Sequence, residues 1–422
     1  MHKGVRKGAI YSLVGQVAGG FSLFVFHILA GRWLGVGYYG DFNALYSAVV
    51  ITAGIVATGI GQGLIRFIAY YDAKDDKDAV SFAVQSSFLY YLIALFILIV
   101  VSFFLRNFIT GRFFSSRVIL FQQFLLGVIT FSLFQFMNGL LQGYRMFRLR
   151  ALFIASYGFC MLIFLYVMIQ LFGRTAGGAG WSIILAPLVP ILLLKSEKAL
   201  MFPRSWFKFR GISVPILKFA LFGTLMGFMS EWFLRSGPLL LKMLAGEEGS
   251  ELAGLFSAII MPLSVVRTVT LALFVSLYPN LSRVYSIKDS GRIRRYILKS
   301  VGLLGIILIL SVIIYFFFGP QLISLFYGKA YLVSRRDTTL IAISIALYLF
   351  GLLFFRIHLS RGTPEYPSYS FLISFLVLFL MLNGLNLEPM LLVEIALLIC
   401  SFLFTFLQLI PIFYSRFLLK KG

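Results

Sequence analysis

The feature that most constrains the fold is a succession of twelve apolar runs, each about as long as a membrane crossing. A helix rises about 1.5 Å per residue, so roughly 20 apolar residues span the hydrocarbon core of a bilayer. No connection between the runs is long enough for a soluble domain. The sequence therefore predicts an all-α polytopic membrane protein with twelve transmembrane helices. The runs cover residues 9–30, 42–65, 81–105, 118–142, 151–172, 177–194, 214–236, 252–276, 297–318, 338–358, 367–386 and 390–414.

The composition excludes a soluble protein and offers no metal or cofactor site. Hydrophobic residues make up 60% of the chain and charged residues only 12%. A soluble domain of this length needs far more polar surface. Cys160 and Cys400 lie inside apolar runs, which argues against a disulfide framework or a cysteine metal site. His2, His27 and His358 are too scattered to form a ligand cluster, so we expect no cofactor and no metal.

The basic residues predict the orientation of the helices. If the N-terminus is cytosolic, the inner segments hold 25 lysines and arginines and the outer segments hold nine. Cytosolic loops of membrane proteins carry this excess. We therefore expect a multi-pass protein of the cell (plasma) membrane with both termini in the cytosol. Most of the net charge of +22 reflects this bias and does not indicate nucleic-acid binding.

One stretch of the sequence occurs twice. Residues Gly40–Asp75 and Gly254–Asp289 share six identities without a gap, located at the two ends of the stretch. Duplication predicts two pseudo-symmetric six-helix bundles, residues 1–195 and 214–422, joined by a cytosolic linker at 196–213. Parallel repeats of this kind occur in several transporter folds. The alternatives are convergent hydrophobic patterning and a duplicated scaffold that transports nothing.

Charged residues within the apolar runs are the candidate site residues. A charge at the centre of a membrane helix costs roughly 2.5–3.5 kcal/mol, so it usually faces a partner or a wet cavity. Glu231 and Arg235 are four residues apart and share one helical face, and Lys242 follows at the helix end. Arg267 has no acid nearby in sequence. The alternatives are a structural Glu231–Arg235 pair and pairing of Arg267 with an acid on another helix, such as Glu231 or Glu394.

Three stretches carry a family resemblance. Residues 59–80 read GIGQGLIRFIAYYDAKDDKDAV, residues 31–45 read GRWLGVGYYGDFNAL, and residues 262–285 end in a Pro-x-x-Ser-Arg motif followed by Val-Tyr. These stretches resemble, in that order, the second helix, the link between helices 1 and 2, and the eighth helix of prokaryotic polysaccharide and oligosaccharide flippases. Those proteins belong to the multidrug/oligosaccharidyl-lipid/polysaccharide exporter superfamily. The resemblance extends over the whole chain, because the helices occur in the same order. Its specific motifs, however, lie only in the two copies of the repeated stretch.

The resemblance implies two bundles that alternate between inward-open and outward-open states and carry a lipid-linked sugar to the outer leaflet. The expected partners are a polyprenyl-(pyro)phosphate-linked glycan, membrane lipids and a coupling cation, H⁺ or Na⁺. Arginine suits such a cargo because its guanidinium group stays charged and presents a fixed fork of donors to phosphate. Glu231 is the candidate coupling residue. The candidate cargo-binding residues are Arg267, Arg235, Arg66, Arg32 and Lys242.

Two other functions compete with the flippase. Drug exporters of the same superfamily usually carry an acid in the first helix, and the run at 9–30 has none. A membrane-embedded polymerase or glycosyltransferase would place its chemistry in a sizeable outer loop. The outer loops are short here, and only residues 245–251 cluster acids. Glu247 and Glu248 there are expected to form a solvated turn, so we do not expect an enzyme.

Overall fold

The structure is a computed structural model whose regular elements, in the parts of the chain that it describes, are helices. The described residues are 2–72, 74–194, 214–286, 290–361 and 365–418. A 3₁₀ turn, Gly246–Glu248, accompanies fourteen α-helices in these residues. The α-helices are α1 (His2–Leu34), α2 (Val36–Asp72), α3 (Lys77–Phe104), α4 (Arg106–Phe113), α5 (Val118–Gly143), α6 (Phe147–Phe172), α7 (Ala176–Leu185), α8 (Leu188–Leu193), α9 (Val214–Leu244), α10 (Gly249–Ser286), α11 (Ser290–Tyr327), α12 (Arg335–Arg361), α13 (Glu365–Gly384) and α14 (Pro389–Leu418).

Twelve of these segments have the length of a membrane crossing. Within the described residues, 11 stretches are long and apolar enough to span a bilayer, and α7 and α8 together form one of them, Ala176–Leu193. The 31-residue helix α9 supplies the twelfth, and the side chains of part of its first half lie outside the described residues. The helix α4 is too short to cross. The predicted fold class, an all-α polytopic membrane protein with twelve transmembrane helices, is confirmed.

Several helices extend well beyond the apolar runs that predicted them. The helix α2 covers Val36–Asp72 where the apolar run covers 42–65, and its 37 residues span about 55 Å at 1.5 Å per residue. That length exceeds the roughly 30 Å of the hydrocarbon core. Apolar runs report only the part of a helix inside that core. The apolar runs therefore did not predict the polar turns at the helix ends. They also did not predict α4, which lies in a connection with three arginines.

The chain divides into two compact units, Met1–Gly254 and Leu255–Gly422. This division places α9 in the first unit, because α9 packs along α2. The predicted boundary follows the repeat instead and places α9 in the second half. The predicted linker 196–213 lies outside the described residues, so the division into 1–195 and 214–422 stays a prediction.

Glycines allow α2 to approach two neighbouring helices closely in the first unit. A Cβ atom at Gly223 of α9 would lie 2.9 Å from the Cα of Gly59. A Cβ atom at Gly139 of α5 would lie 2.8 Å from the Cα of Gly61. Small residues at helix contacts let backbones pack closely in membranes. The glycine-rich turn of α2 is therefore a packing surface on both of its sides.

The two copies of the repeated stretch begin with a reciprocal backbone contact inside the first unit. A Cβ atom at Gly40 would collide with the carbonyl oxygen of Ser250, and one at Gly254 would collide with the carbonyl oxygen of Val36. Val36 and Ser250 are separated by the same 214 positions as Gly40 and Gly254. Shared hydrophobicity alone does not predict such reciprocity, so the contact favours duplication.

The second unit is held by aromatic packing and by polar contacts between α12, α13 and α14. The rings of Phe371 and Phe404 stack with centroids 4.1 Å apart. Thr405 Oγ1 donates to the carbonyl oxygen of Leu347 at 2.7 Å, and a Cβ atom at Gly351 would contact the Phe404 ring. Further along both helices, His358 Nε2 lies 3.0 Å from the carbonyl oxygen of Gln408. The contacts therefore advance in the same direction along α12 and α14, and these two helices run parallel.

Candidate functional site on helix α9

The three charged residues in the second half of α9 lie against α2. Spacings of four and seven residues place Glu231, Arg235 and Lys242 on one face, since eleven residues are close to three helical turns. The helices run antiparallel: Glu231 lies opposite Gly54, at a Cβ position 3.9 Å from the Glu231 Cγ atom. Lys242 contacts Asp41, near the start of α2. The face of α9 toward α2 therefore carries the embedded charges.

Arg235 and Glu231 form an ion pair within the helix. The Arg235 Nε atom donates to Glu231 Oε2 at 2.8 Å, and the side chains are 16% and 19% exposed. This i,i+4 pairing was one of the alternatives that the sequence left open. Within the described residues, the terminal nitrogens of Arg235 make no hydrogen bond. The pair is therefore only partly enclosed, and the guanidinium group keeps donors for a further partner.

An aromatic cluster supports the guanidinium group of Arg235. Its Cζ atom lies 5.0 Å from the centroid of the Tyr46 ring, within the distance of a cation–π interaction. The His27 ring lies 5.3 Å from Tyr46, and the Phe42 ring stacks on Tyr46 at 6.2 Å. His27 is buried and contacts the Tyr39 hydroxyl through Nδ1 at 3.4 Å. These contacts fix the orientation of Tyr46 and hence of the arginine above it.

Lys242 belongs to a buried polar network, which we name the Lys242 cluster and define as Asp41, Ser115, Lys242 and Ser250. The ammonium group contacts Asp41 Oδ1 at 2.7 Å, Ser115 Oγ at 2.5 Å and Ser250 Oγ at 2.7 Å. Ser250 also donates to Asp41 Oδ1 at 2.8 Å. The side chains of Lys242 and Asp41 are 4% and 3% exposed. All three donors of the ammonium group are thus used inside the protein.

The loop between α4 and α5 supplies two further partners of Asp41. Ser115 and Ser116 have positive φ angles, 49° and 60°, a left-handed conformation that is uncommon for residues other than glycine. This turn brings Ser115 to the cluster, and the next residue, Arg117, contacts Asp41 Oδ2 at 3.1 Å. The Arg117 guanidinium also lies 5.2 Å from the Tyr38 ring. Asp41 is therefore enclosed by two cations and two hydroxyl groups.

The other three predicted cargo-binding residues lie elsewhere along the chain. Arg32 is exposed in the last turn of α1, and Arg66 is exposed far along α2. Arg66 is 25 positions from Asp41, or about 38 Å along the helix. Arg267 is half-buried on α10 in the second unit. All three make contacts in the structure, and their roles in cargo binding remain predictions.

The end of the first repeat copy carries a polar contact outside the membrane segment. The Lys74 Nζ atom donates to the Tyr70 hydroxyl at 2.7 Å and lies 4.4 Å from the centroid of its ring. This hydrogen bond is the main cause that raises the pKa of Lys74. Lys74 thus stays charged on the side that the basic residues predict to be cytosolic.

Comparison with known proteins identifies the family. Residues 5–285 match the family model described as polysaccharide biosynthesis protein. This match covers more than half of the chain. A comparison with curated protein sequences finds no match.

Solved structures show the same fold as this chain. A multidrug resistance MATE family transporter of the MOP superfamily, in an inward-facing conformation, is similar with a TM-score of 0.70 and 16% identity, over 97% of this chain and 96% of the other. A MATE crystal structure in complex with MaL6 is similar with a TM-score of 0.69 and 18% identity, over 99% and 98%.

A MOP superfamily transporter from Pyrococcus furiosus is similar with a TM-score of 0.67 and 15% identity, over 97% and 96%. A binding pocket of reversed polarity is described for that transporter. At these identities the likeness shows the fold, and it agrees with the superfamily resemblance of the sequence motifs. The chain is a multi-pass membrane transporter, and it belongs to the polysaccharide biosynthesis protein family.

Proposed function

We propose that the protein is a flippase that moves a polyprenyl-(pyro)phosphate-linked glycan from the cytosolic to the outer leaflet of the cell membrane by alternating access. The description of its family supports a cargo used in polysaccharide synthesis. The observation that carries the proposal is the half-buried guanidinium group of Arg235, whose terminal nitrogens make no hydrogen bond to described residues. Both termini are cytosolic in this proposal, and the protein is not an enzyme.

The chemistry of Arg235 suits a lipid-linked phosphate. The guanidinium group remains charged in a poorly solvated site and presents parallel N–H donors to two phosphate oxygens. The Tyr46 ring below it fixes the plane of these donors and adds a cation–π attraction. Arg32, Arg66 and Arg267 are the further cations that we assign to the pathway. Lys242 is not among them, because its three donors are used inside the protein.

The ion pair suggests how cargo binding is coupled to a cation. Arg235 holds Glu231 through Nε. A phosphate on the terminal nitrogens places a second anion beside Arg235 and repels the Glu231 carboxylate. A carboxylate that is held less strongly by Arg235 binds a proton or Na⁺ more readily. Cargo binding and cation binding then favour each other. Release of the cation on the other side of the membrane would restore the ion pair and expel the cargo.

A multidrug exporter is the second candidate. The observation that favours it is the similarity of the fold to a structure titled as a multidrug resistance MATE family transporter. The two functions differ in what Arg235 should do: a cationic drug is repelled by a guanidinium group, whereas a pyrophosphate binds to it. A panel of cationic drugs and lipid-linked glycans therefore separates them.

The test measures glycan flipping in vesicles that contain the purified protein and a polyprenyl-pyrophosphate-linked sugar, with a membrane-impermeant glycosidase as the probe of the outer leaflet. Arg235→Ala should abolish flipping, and Arg235→Lys should retain part of it, because the charge remains while the fork of donors is lost. The matched control is Arg112→Ala, which removes one charge from an exposed position on α4. Normal flipping by Arg235→Ala, or efflux of cationic drugs without glycan flipping, would overturn the proposal.

A further inference from the structure

Helix α14 contains a fully enclosed acidic side chain, Glu394. The sequence indicated this residue only as a partner for Arg267. Glu394 is 0% exposed. Neither of its oxygens has a hydrogen-bond partner among the residues that the structure describes. Its buried neighbours on α14, Leu392, Val393 and Ala396, are apolar. A carboxylate ion in such surroundings costs several kilocalories per mole, so the group binds a cation or is neutral.

The groups that face Glu394 come from the first turn of α12. Because α12 and α14 are parallel, with Thr405 beside Leu347, Glu394 lies beside the start of α12. That turn carries Arg336 and Asp337, whose Nε and Oδ1 atoms are 3.1 Å apart. The helix α13, which also packs on α14, carries only tyrosines as titratable groups between residues 366 and 384. Glu388 is exposed just before α14 begins.

The surroundings of Glu394 fit a proton better than a metal cation. Hard metal cations require about six or more oxygen ligands. Within the described residues, no group of three or more histidines, cysteines or acids could hold a metal. A proton needs no further ligand. The side chains of Arg336 and Asp337 are 52% and 14% exposed, so both reach water at the end of α12 that adjoins Glu394.

We propose that Glu394 is a proton-binding site, occupied in this conformation and filled and emptied through Asp337 at the adjoining end of α12. The proton leaves the carboxyl group of Glu394 on an intervening water molecule, which passes a proton to the carboxylate of Asp337 and so to the surrounding water. It returns by the same route. The proposed proton-binding site does not depend on the identity of the cargo. Its use in driving transport rests on the proposed function, and it adds a second titratable acid to Glu231.

Infrared spectroscopy on the purified full chain tests the proton directly. The carbonyl absorption of a protonated carboxyl group should be present at neutral pH in the wild-type protein. It should disappear in Glu394→Gln and persist in Glu388→Gln, the exposed control on the same end of the helix. Glutamine has the shape of protonated glutamate, so the variant should fold. An unchanged absorption in Glu394→Gln would overturn the site.

Two further measurements test the ion and the route. The absorption should be the same in sodium and potassium buffers at neutral pH, and its loss on addition of sodium would overturn the assignment to a proton. After transfer to alkaline buffer, Asp337→Asn should lose the absorption at least several-fold more slowly than the wild type. Equal rates would overturn the route through Asp337. None of these measurements involves a glycan, so a failure of the flippase proposal would leave them unaffected.

Discussion

Lys242 Nζ lies 2.7 Å from Asp41 Oδ1, although the two residues are 201 positions apart. This contact joins the end of α9 to the start of α2 in a place with almost no access to water. A buried pair of this kind contributes little net energy relative to apolar residues, but losing one partner is costly. The Lys242 cluster therefore fixes the spacing of these helix ends as long as both charges are present.

Removal of Lys242 alone should destabilise the protein strongly. Lys242→Ala leaves Asp41 buried beside Arg117 with one cation fewer, and breaking a buried pair costs about 3–5 kcal/mol. The measurement is thermal unfolding in detergent. Combining Asp41→Asn with Lys242→Met should recover most of the loss, because neither charge then remains. Lys74→Ala, at an exposed lysine, should leave the midpoint unchanged. A single Lys242→Ala variant as stable as the wild type would contradict the role of the cluster.

A methyl group at the reciprocal glycine contact should disturb the first unit. Gly40→Ala places a Cβ atom against the carbonyl oxygen of Ser250, and overpacking of this kind costs about 1–3 kcal/mol. The matched control is Gly302→Ala on α11, where a Cβ atom would meet nothing within 4 Å and alanine is the better helix former. The two unfolding midpoints are compared. A Gly40→Ala midpoint equal to or above that of Gly302→Ala would rule out close packing at this point.

Neutralisation of Glu231 should uncouple transport from the cation gradient. Glu231→Gln removes the charge that repels phosphate beside Arg235, so cargo binding should tighten or stay unchanged while flipping no longer responds to an imposed gradient. The measurement is flipping in vesicles with and without a proton or sodium gradient. Glu248→Gln, at the exposed turn after α9, should keep the response. If Glu231→Gln responds as the wild type does, Glu231 has no part in coupling.

The orientation predicts which cysteines react from outside the cell. In a chain without Cys160 and Cys400, Glu248→Cys should react with an impermeant thiol reagent on intact cells. Ser290→Cys should react only after the membrane is permeabilised. The physical reason is the excess of basic residues in the segments that include residue 290. The opposite labelling pattern would place the termini outside the cytosol.

Hydropathy predicted the helices, but it could not predict which of them pack together. The i,i+4 spacing placed Glu231 and Arg235 on one helical face, so their pairing was among the alternatives that the sequence offered. The partner of Lys242 is an acid on α2, and no periodicity relates residues so far apart in the chain. Asp41 resembled an ordinary charge at a membrane boundary. Only the structure shows that Asp41 is buried, because the turn that positions Ser115 closes over it.

The sequence could not predict the surroundings of Glu394, for a similar reason. An acid in an apolar run indicates a functional residue, but not whether its partner is an arginine, a cargo or a proton. That choice depends on the parallel packing of α12 and α14, which brings Asp337 near and leaves both oxygens of Glu394 without a described hydrogen-bond partner. Spacing along one chain does not contain this information.

The reciprocal contact of Gly40 with Ser250 and of Gly254 with Val36 bears on the ancestry of the chain. Two identical molecules related by a two-fold axis make contacts in which each residue pair occurs twice with its members exchanged. A shorter ancestor with one copy of the repeated stretch could thus have formed this contact with a second molecule of itself. Fusion of the two genes would have preserved the glycines at the axis. Asp41 and Lys242 could then arise singly, because a fused chain no longer needs the same residue on both sides.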